Sequence, residues 1–189
     1  MTHGGSRGFT LIEALTTVAV LVVLASLAAP GLQNFVTRNK VASISNEFSS
    51  ALQQTRALAI SKNTCASFCA SKTVKGDGNE SCDADSDNFQ AGWIIFENPT
   101  CSAAQADPEA NGAQVSSLRR GDDTAYKIAP SDEALTIVMF DPRGFANLAA
   151  AGHFEVIPPS EDESLKRVIC IDAAGRATVR KWKSEDACS

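Results

Sequence analysis

From Phe9 to Thr37 the chain is an apolar run broken only by small polar residues, and Glu13 is its one charge. At about 1.5 Å per residue, some twenty helical residues span the roughly 30 Å hydrocarbon core of a bilayer, so the run has the length of a membrane helix. A carboxylate inside such a segment is costly unless it is paired. Glu13 is therefore the residue that most needs an explanation. Ahead of the run lies MTHGGSRG (1–8), short and polar, with one firm positive charge at Arg7.

At Pro30 and Gly31 the pattern changes. Proline removes one intrahelical hydrogen bond and clashes with the preceding turn, so a bend or local melting is expected at these two residues. Beyond them Val41, Ile44, Phe48, Leu52, Thr55 and Leu58 recur at three- and four-residue spacing, with Arg38, Lys40, Asn46, Glu47, Gln53 and Arg56 between them. That is one apolar stripe on an amphipathic helix ending near Ser61. Short β-prone runs follow: TCASFCA (64–70), GWIIFE (92–97), QVSSL (114–118), LTIVMF (135–140), HFEVI (153–157), RVICI (167–171) and RATVRKW (176–182). Glycine, proline, asparagine and aspartate punctuate the gaps. The fold class is α+β: a long N-terminal helix, membrane-spanning in its first half, packed through its second half on a C-terminal antiparallel β domain. The organisation is 1–8, an apolar helix 9–30, an amphipathic helix 31–61 and a β domain 62–189.

The six cysteines, Cys65, Cys69, Cys82, Cys101, Cys170 and Cys188, all lie beyond the apolar run. Their even number points to disulfides in an oxidising compartment. Cys170–Cys188 is the first expected pair, because it ties down a tail with little else to hold it. The other four allow three pairings, of which Cys69–Cys82 with Cys65–Cys101 is taken. The spacings C-x3-C and C-x12-C match no zinc-ligand pair, and no metal or cofactor is expected. Only two histidines exist, His3 and His153, and His153 is expected at an exposed turn before a strand. No nucleophile elbow, metalloprotease helix, P-loop or dinucleotide fingerprint occurs, so nothing indicates an enzyme and no catalytic residue is named. A net charge of −5 argues against coating nucleic acid through bulk charge.

Three readings of the N-terminus compete. An ordinary signal peptide would be cut after Ser26-Leu27-Ala28, and a plain single-pass anchor would not be cut at all. Neither accounts for a glutamate at the fifth apolar position. RGFTLIE (7–13) instead resembles the signal of type IV pilins and type II secretion pseudopilins. That resemblance implies removal of 1–8 by a prepilin peptidase between Gly8 and Phe9, and methylation of the new Phe9 amine. It also implies a Glu13 carboxylate that meets the terminal amine of a neighbouring subunit during assembly.

The resemblance runs along the chain. RNKVASISNEFSSALQQTRALAISKN (38–63) is similar to the helix of the FimT/FimU/GspH group of minor pilins and pseudopilins, through Asn46, Leu52, Arg56, Ala59 and Asn63. GWIIF (92–96), LRRGDD (118–123), IVMFDPRGFA (137–146) and the closing VICIDAAGRATV (168–179) also match that group. It implies two packed antiparallel sheets in the β domain. It further implies a minor subunit in a complex that primes a type IV pilus for adhesion and twitching motility. The partners implied are other minor pilins, the major pilin and a PilY-type tip adhesin. The implied location is the bacterial inner membrane with a periplasmic domain, and then the fibre; the alternative is a GspH-like pseudopilus in type II secretion.

A further alternative is DNA uptake. Some FimT-type members bind DNA through a C-terminal G-R-x-R motif, whereas this chain has Gly175-Arg176-Ala177-Thr178, without the second arginine. Arg176, Arg180, Lys181 and Lys183 remain for phosphate contacts, with Arg176 and Arg180 on one strand face. The bland reading is a charged edge strand. Asp83, Asp85 and Asp87 alternate like the start of an EF-hand loop. Asn88 stands where that loop needs glycine and Ile94 where it needs glutamate, so a solvated loop clamped by Cys82 is expected.

Overall fold

The structure, a computed structural model, describes residues 9–74, 80–83, 86, 88–102, 107–108, 114–120, 125–148, 151–183 and 188. The chain divides into two compact units, Met1–Arg38 and Asn39–Ser189. One helix, α1 (Leu11–Lys62), contributes to both, and Pro30 and Gly31 lie within it.

In the second unit α1 buries Val41, Ile44, Phe48, Leu52 and Thr55 of the stripe that the sequence spaces out, while Leu58 is half-buried and Ala59 beside it is the buried residue of the last turn. Two of the buried polar groups on this face satisfy themselves: Ser45 Oγ donates to Val41 O (2.7 Å) and Thr55 Oγ1 to Ala51 O (2.8 Å). The helix ends in a Schellman motif. Asn63 takes φ +50°, its N–H donates to Ile60 O (3.3 Å), and Thr64 N–H donates to Ala59 O (3.2 Å). Asparagine tolerates that left-handed conformation better than most residues, which explains its place there.

Two four-stranded antiparallel sheets follow. The first has the order β3-β2-β1-β5, built from β1 (Cys65–Ala70), β2 (Gly92–Asn98), β3 (Val115–Arg120) and β5 (Ile137–Phe140). The second has the order β4-β6-β7-β8, built from β4 (Lys127–Pro130), β6 (Gly152–Ile157), β7 (Arg167–Ile171) and β8 (Ala177–Lys181). Phe48 from the helix joins them. Its ring lies 5.1 Å from Phe68 of β1, 5.5 Å from Trp93 of β2 and 4.8 Å from Phe154 of β6, with Phe89 at 5.4 Å.

The strands fall close to the β-prone runs, with three corrections. β4 was not anticipated: its four residues KIAP end in a proline, which removes a ladder donor and is tolerated only at an edge, where β4 lies. Leu135 and Thr136 belong to a 3₁₀ turn (Glu133–Thr136) rather than to β5. His153 is not at an exposed turn. It sits inside β6 opposite Cys170, with 16% of its side chain exposed and Glu155 Oε1 3.7 Å away.

The turn between β7 and β8 packs on the loop between β5 and β6. Gly175 has φ +74°, and a Cβ there would collide with the Gly144 carbonyl oxygen. Gly144 has φ +86°, and a Cβ there would press on the side chains of Ile60 and Arg56, whose Nε donates to Gly144 O at 2.9 Å. Both positions need glycine for conformation and for space.

Candidate assembly helix and surface clusters

The described chain begins at Phe9, 73% exposed, so Gly8 and the rest of 1–8 lie outside the described residues. Glu13 stands in the first turn of α1. Its Oε2 accepts from Thr10 N (3.0 Å) and from Thr10 Oγ1 (2.9 Å), while Glu13 N–H donates back to Thr10 Oγ1 (3.3 Å). This is a capping box, in which an N-cap threonine and a glutamate three residues on satisfy orphan donors reciprocally. The sequence carries the signal for it, Thr10-x-x-Glu13 ahead of an apolar run. Glu13 also gains from standing at the positive end of the helix dipole. Its Oε1 has no hydrogen-bond partner among the described residues.

Among the described residues, fourteen large apolar side chains between Phe9 and Val36 are exposed. The hydroxyls among them turn inward: Thr16 Oγ1 donates to Glu13 O (3.1 Å), Thr17 Oγ1 to Ala14 O (2.9 Å) and Ser26 Oγ to Val23 O (2.7 Å). Such back-bonding lets a polar residue face an apolar surrounding. Among the described residues no single helix is long and apolar enough to cross a membrane. The stretches Leu11–Leu27 and Gly31–Lys62 pass only as a pair, by length and composition. An exposed apolar sheath of this extent is a contact surface for lipid or for other helices.

The disulfides are Cys65–Cys101, Cys69–Cys82 and Cys170–Cys188, with Cα–Cα distances of 5.2, 5.5 and 5.5 Å. They are the three pairs taken from the sequence. In the acidic loop Asp83 pairs with Lys72 Nζ (2.6 Å), and Asp85 and Asp87 lie outside the described residues.

The C-terminal basic cluster runs from the residue before β8, Arg176, along that edge strand to Lys183 just past it. Arg176, Thr178 and Arg180 line one hollow of about 270 Å³ beside Cys170–Cys188. Arg176 is already engaged there. Its Nε and Nη2 each reach Asp172 Oδ2 at 2.8 Å, and its N–H donates to Asp172 Oδ1 at 2.9 Å. The Arg176 backbone amide first, and its guanidinium after it, hold the Asp172 carboxyl below the usual carboxylate range, so the pair persists as an ion pair near neutral pH. Lys181 and Lys183 are exposed.

The family model described as type II transport protein GspH matches residues 45–175. No curated protein sequence matches the chain. Its structure is similar to two crystal structures of the type IV minor pilin FimU of Pseudomonas aeruginosa (strain PAO1). The form in space group P21 has 19% identity and a TM-score of 0.58, over 82% of this chain and 99% of that one. The form in P65 has 17% identity and a TM-score of 0.55, over 78% and 99%. At that identity the likeness is one of fold: a helix followed by two antiparallel sheets.

Proposed function

As a chain that belongs to the GspH family of type II transport proteins, this is, we propose, a minor subunit of a helix-packed fibre that joins a tip complex and initiates assembly. The carrying observation is the Glu13 carboxylate: one oxygen is taken by its own helix cap, the other has no partner among the described residues, and no other charge stands in the apolar run Phe9 to Thr37. The half-satisfied acid needs a cation, and removal of 1–8 by a prepilin peptidase would create one as the Phe9 amine of a neighbouring subunit. Before assembly the apolar helix holds the chain in the inner membrane, bent at Pro30 and Gly31, with the disulfide-bonded domain in the periplasm. The partners are other minor pilins, the major pilin and a PilY-type tip adhesin. The role is structural, not enzymatic. A pseudopilus of type II secretion is the second reading, and the family description supports it.

Mass spectrometry of the protein from its native membrane is expected to find Phe9, methylated, as the first residue. A mature chain beginning at Ala29 would instead mean an ordinary signal peptidase, and the fibre reading would fail.

DNA uptake draws support from the shared face of Arg176, Thr178 and Arg180. Against it, a phosphate would have to displace Asp172 from Arg176. In an electrophoretic shift with duplex DNA, only weak binding that disappears at moderate salt is expected. A salt-resistant complex that Arg180→Ala abolishes would restore the DNA reading.

A further inference from the structure

The start of β7 and the end of β8 carry a basic cluster around Trp182, and we infer that it docks the β domain on the anionic headgroups of the bilayer that holds α1. The inference rests on the reading of the apolar run as a membrane anchor, and on no part of the fibre reading.

Strand register builds the cluster. Arg167 opens β7 and stands directly opposite Lys181, the last residue of β8. One step further Trp182 N–H donates to Lys166 O at 3.3 Å, and Lys183 follows. Two cations directly opposite on a ladder repel each other. Elsewhere in the unit Asn39–Ser189, Lys62, Lys72, Arg119, Arg143 and Arg176 each pair with a carboxylate. Lys166, Arg167, Lys181 and Lys183 form no ion pair among the described residues. The carboxylates nearest in sequence are Glu161, Asp162 and Glu163, and Asp162 Oδ1 accepts from Ser164 N–H (2.9 Å) as the cap of a 3₁₀ turn (Glu163–Leu165). A phosphate between Arg167 and Lys181 replaces their repulsion with charge-assisted hydrogen bonds.

The cluster lies at the end of the domain where α1 enters it. Ile169 of β7 is opposite Phe154, whose ring packs on Phe48 at 4.8 Å. Past the other end of β7, Gly175 lies against Arg56. The path from Gly175 through Ile169 to Arg167 therefore follows α1 from Arg56 through Phe48 towards Asn39. Lys40, half-buried, adds a cation there. The apolar run ends at Thr37, so the chain itself holds this end of the domain close to the headgroups.

Trp182 favours lipid over other anions. It is half-buried, Lys166 Nζ lies 5.6 Å over its ring, and its indole N–H has no hydrogen-bond partner among the described residues. An amphipathic ring flanked by lysines suits the headgroup layer, where the ring meets acyl carbon and the N–H meets phosphate or water. The chain as a whole carries −5, so an anionic surface repels the rest of the domain and accepts it by this end. A nucleic acid would meet the same cations without the tether.

The test places the full chain in vesicles of phosphatidylcholine, with and without about one third phosphatidylglycerol. The phosphatidylcholine carries acyl chains brominated near the carbonyl end, because bromine quenches a tryptophan that touches it. The Trp182 signal is the difference between the parent and Trp182→Phe, since Trp93 is buried in the domain. Density flotation reports insertion separately, and a chain that fails to float overturns the anchor reading and the inference with it. In floating chains Trp182 emission is expected to be at least twofold lower in the anionic vesicles, and high salt should remove the difference. Arg167→Gln combined with Lys181→Gln should float normally and lower the ratio of docked to undocked domains at least tenfold, at about fivefold per cation. Its thermal midpoint should not fall, because the change removes a repulsion. Equal emission in the two vesicles, or quenching indifferent to the double substitution, overturns the inference while leaving the anchor reading intact. So does tight binding of a labelled oligonucleotide that the double substitution abolishes, since that assigns the cluster to nucleic acid.

Discussion

Chains carrying Glu13→Ala are expected to enter the membrane, lose their leader and fold their β domain, and then to be at least tenfold depleted from fibres. Removing a charge from an apolar helix favours insertion. The residues flanking the leader cut, Gly8 and Phe9, are untouched. Glu13 also belongs to a different compact unit from the domain, so its loss leaves the Phe48 core and the three disulfides intact. What disappears is the Oε1 that has no partner among the described residues and, with it, the proposed partner for a neighbour's amine. Co-purification of other pilins and counts of surface fibres measure the effect. Thr10→Val is the informative companion. It keeps the charge but loses the hydroxyl that holds Oε2 at 2.9 Å, so assembly should fall part of the way. If the alanine chain forms fibres in normal number and retains its partners, Glu13 has no role in assembly.

Phe48→Ala is expected to be the most damaging single change in the domain. The ring is fully buried and meets four aromatic rings, from both sheets and from the 3₁₀ turn Phe89–Ala91. Truncating such a residue removes its transfer free energy and leaves a cavity between layers that relax only partly, for a loss of about 3–5 kcal/mol. In a domain of this size that corresponds to roughly 8–15 °C in thermal midpoint. Phe48→Leu should recover more than half of it, because only part of the volume is lost. Thermal unfolding followed by near-ultraviolet circular dichroism reads both variants with the disulfides intact. A midpoint for Phe48→Ala within about 2 °C of the parent would mean that the two sheets close without the ring between them.

The elements most legible in the sequence were those set by local chemistry. The helix showed because the apolar residues from Val41 to Ala59 recur at its period, and Asn63 closes it in the one conformation asparagine tolerates better than most. RVICI and GWIIFE showed as strands because β-branched and aromatic residues crowd between turn residues. β4 did not, since KIAP has too few such residues and ends in proline, and it is a strand only because β6 offers it a ladder.

Sequence and tertiary structure decided different parts of the sites. Glu13, alone in an apolar run after Gly8-Phe9, announced itself without any fold, because a charge that must be buried needs a partner wherever the helix goes. Its cap by Thr10 was equally local, three residues away. The division of the β domain into two sheets was not local, nor was the junction at Arg56, Gly144 and Gly175. These depend on which strands accept each other's hydrogen bonds, and on residues 88 positions apart, Arg56 and Gly144, meeting at 2.9 Å. No periodicity or spacing encodes that meeting. It exists only once Phe48 has drawn both sheets onto one face of the helix, because burying that apolar stripe brings distant loops into contact.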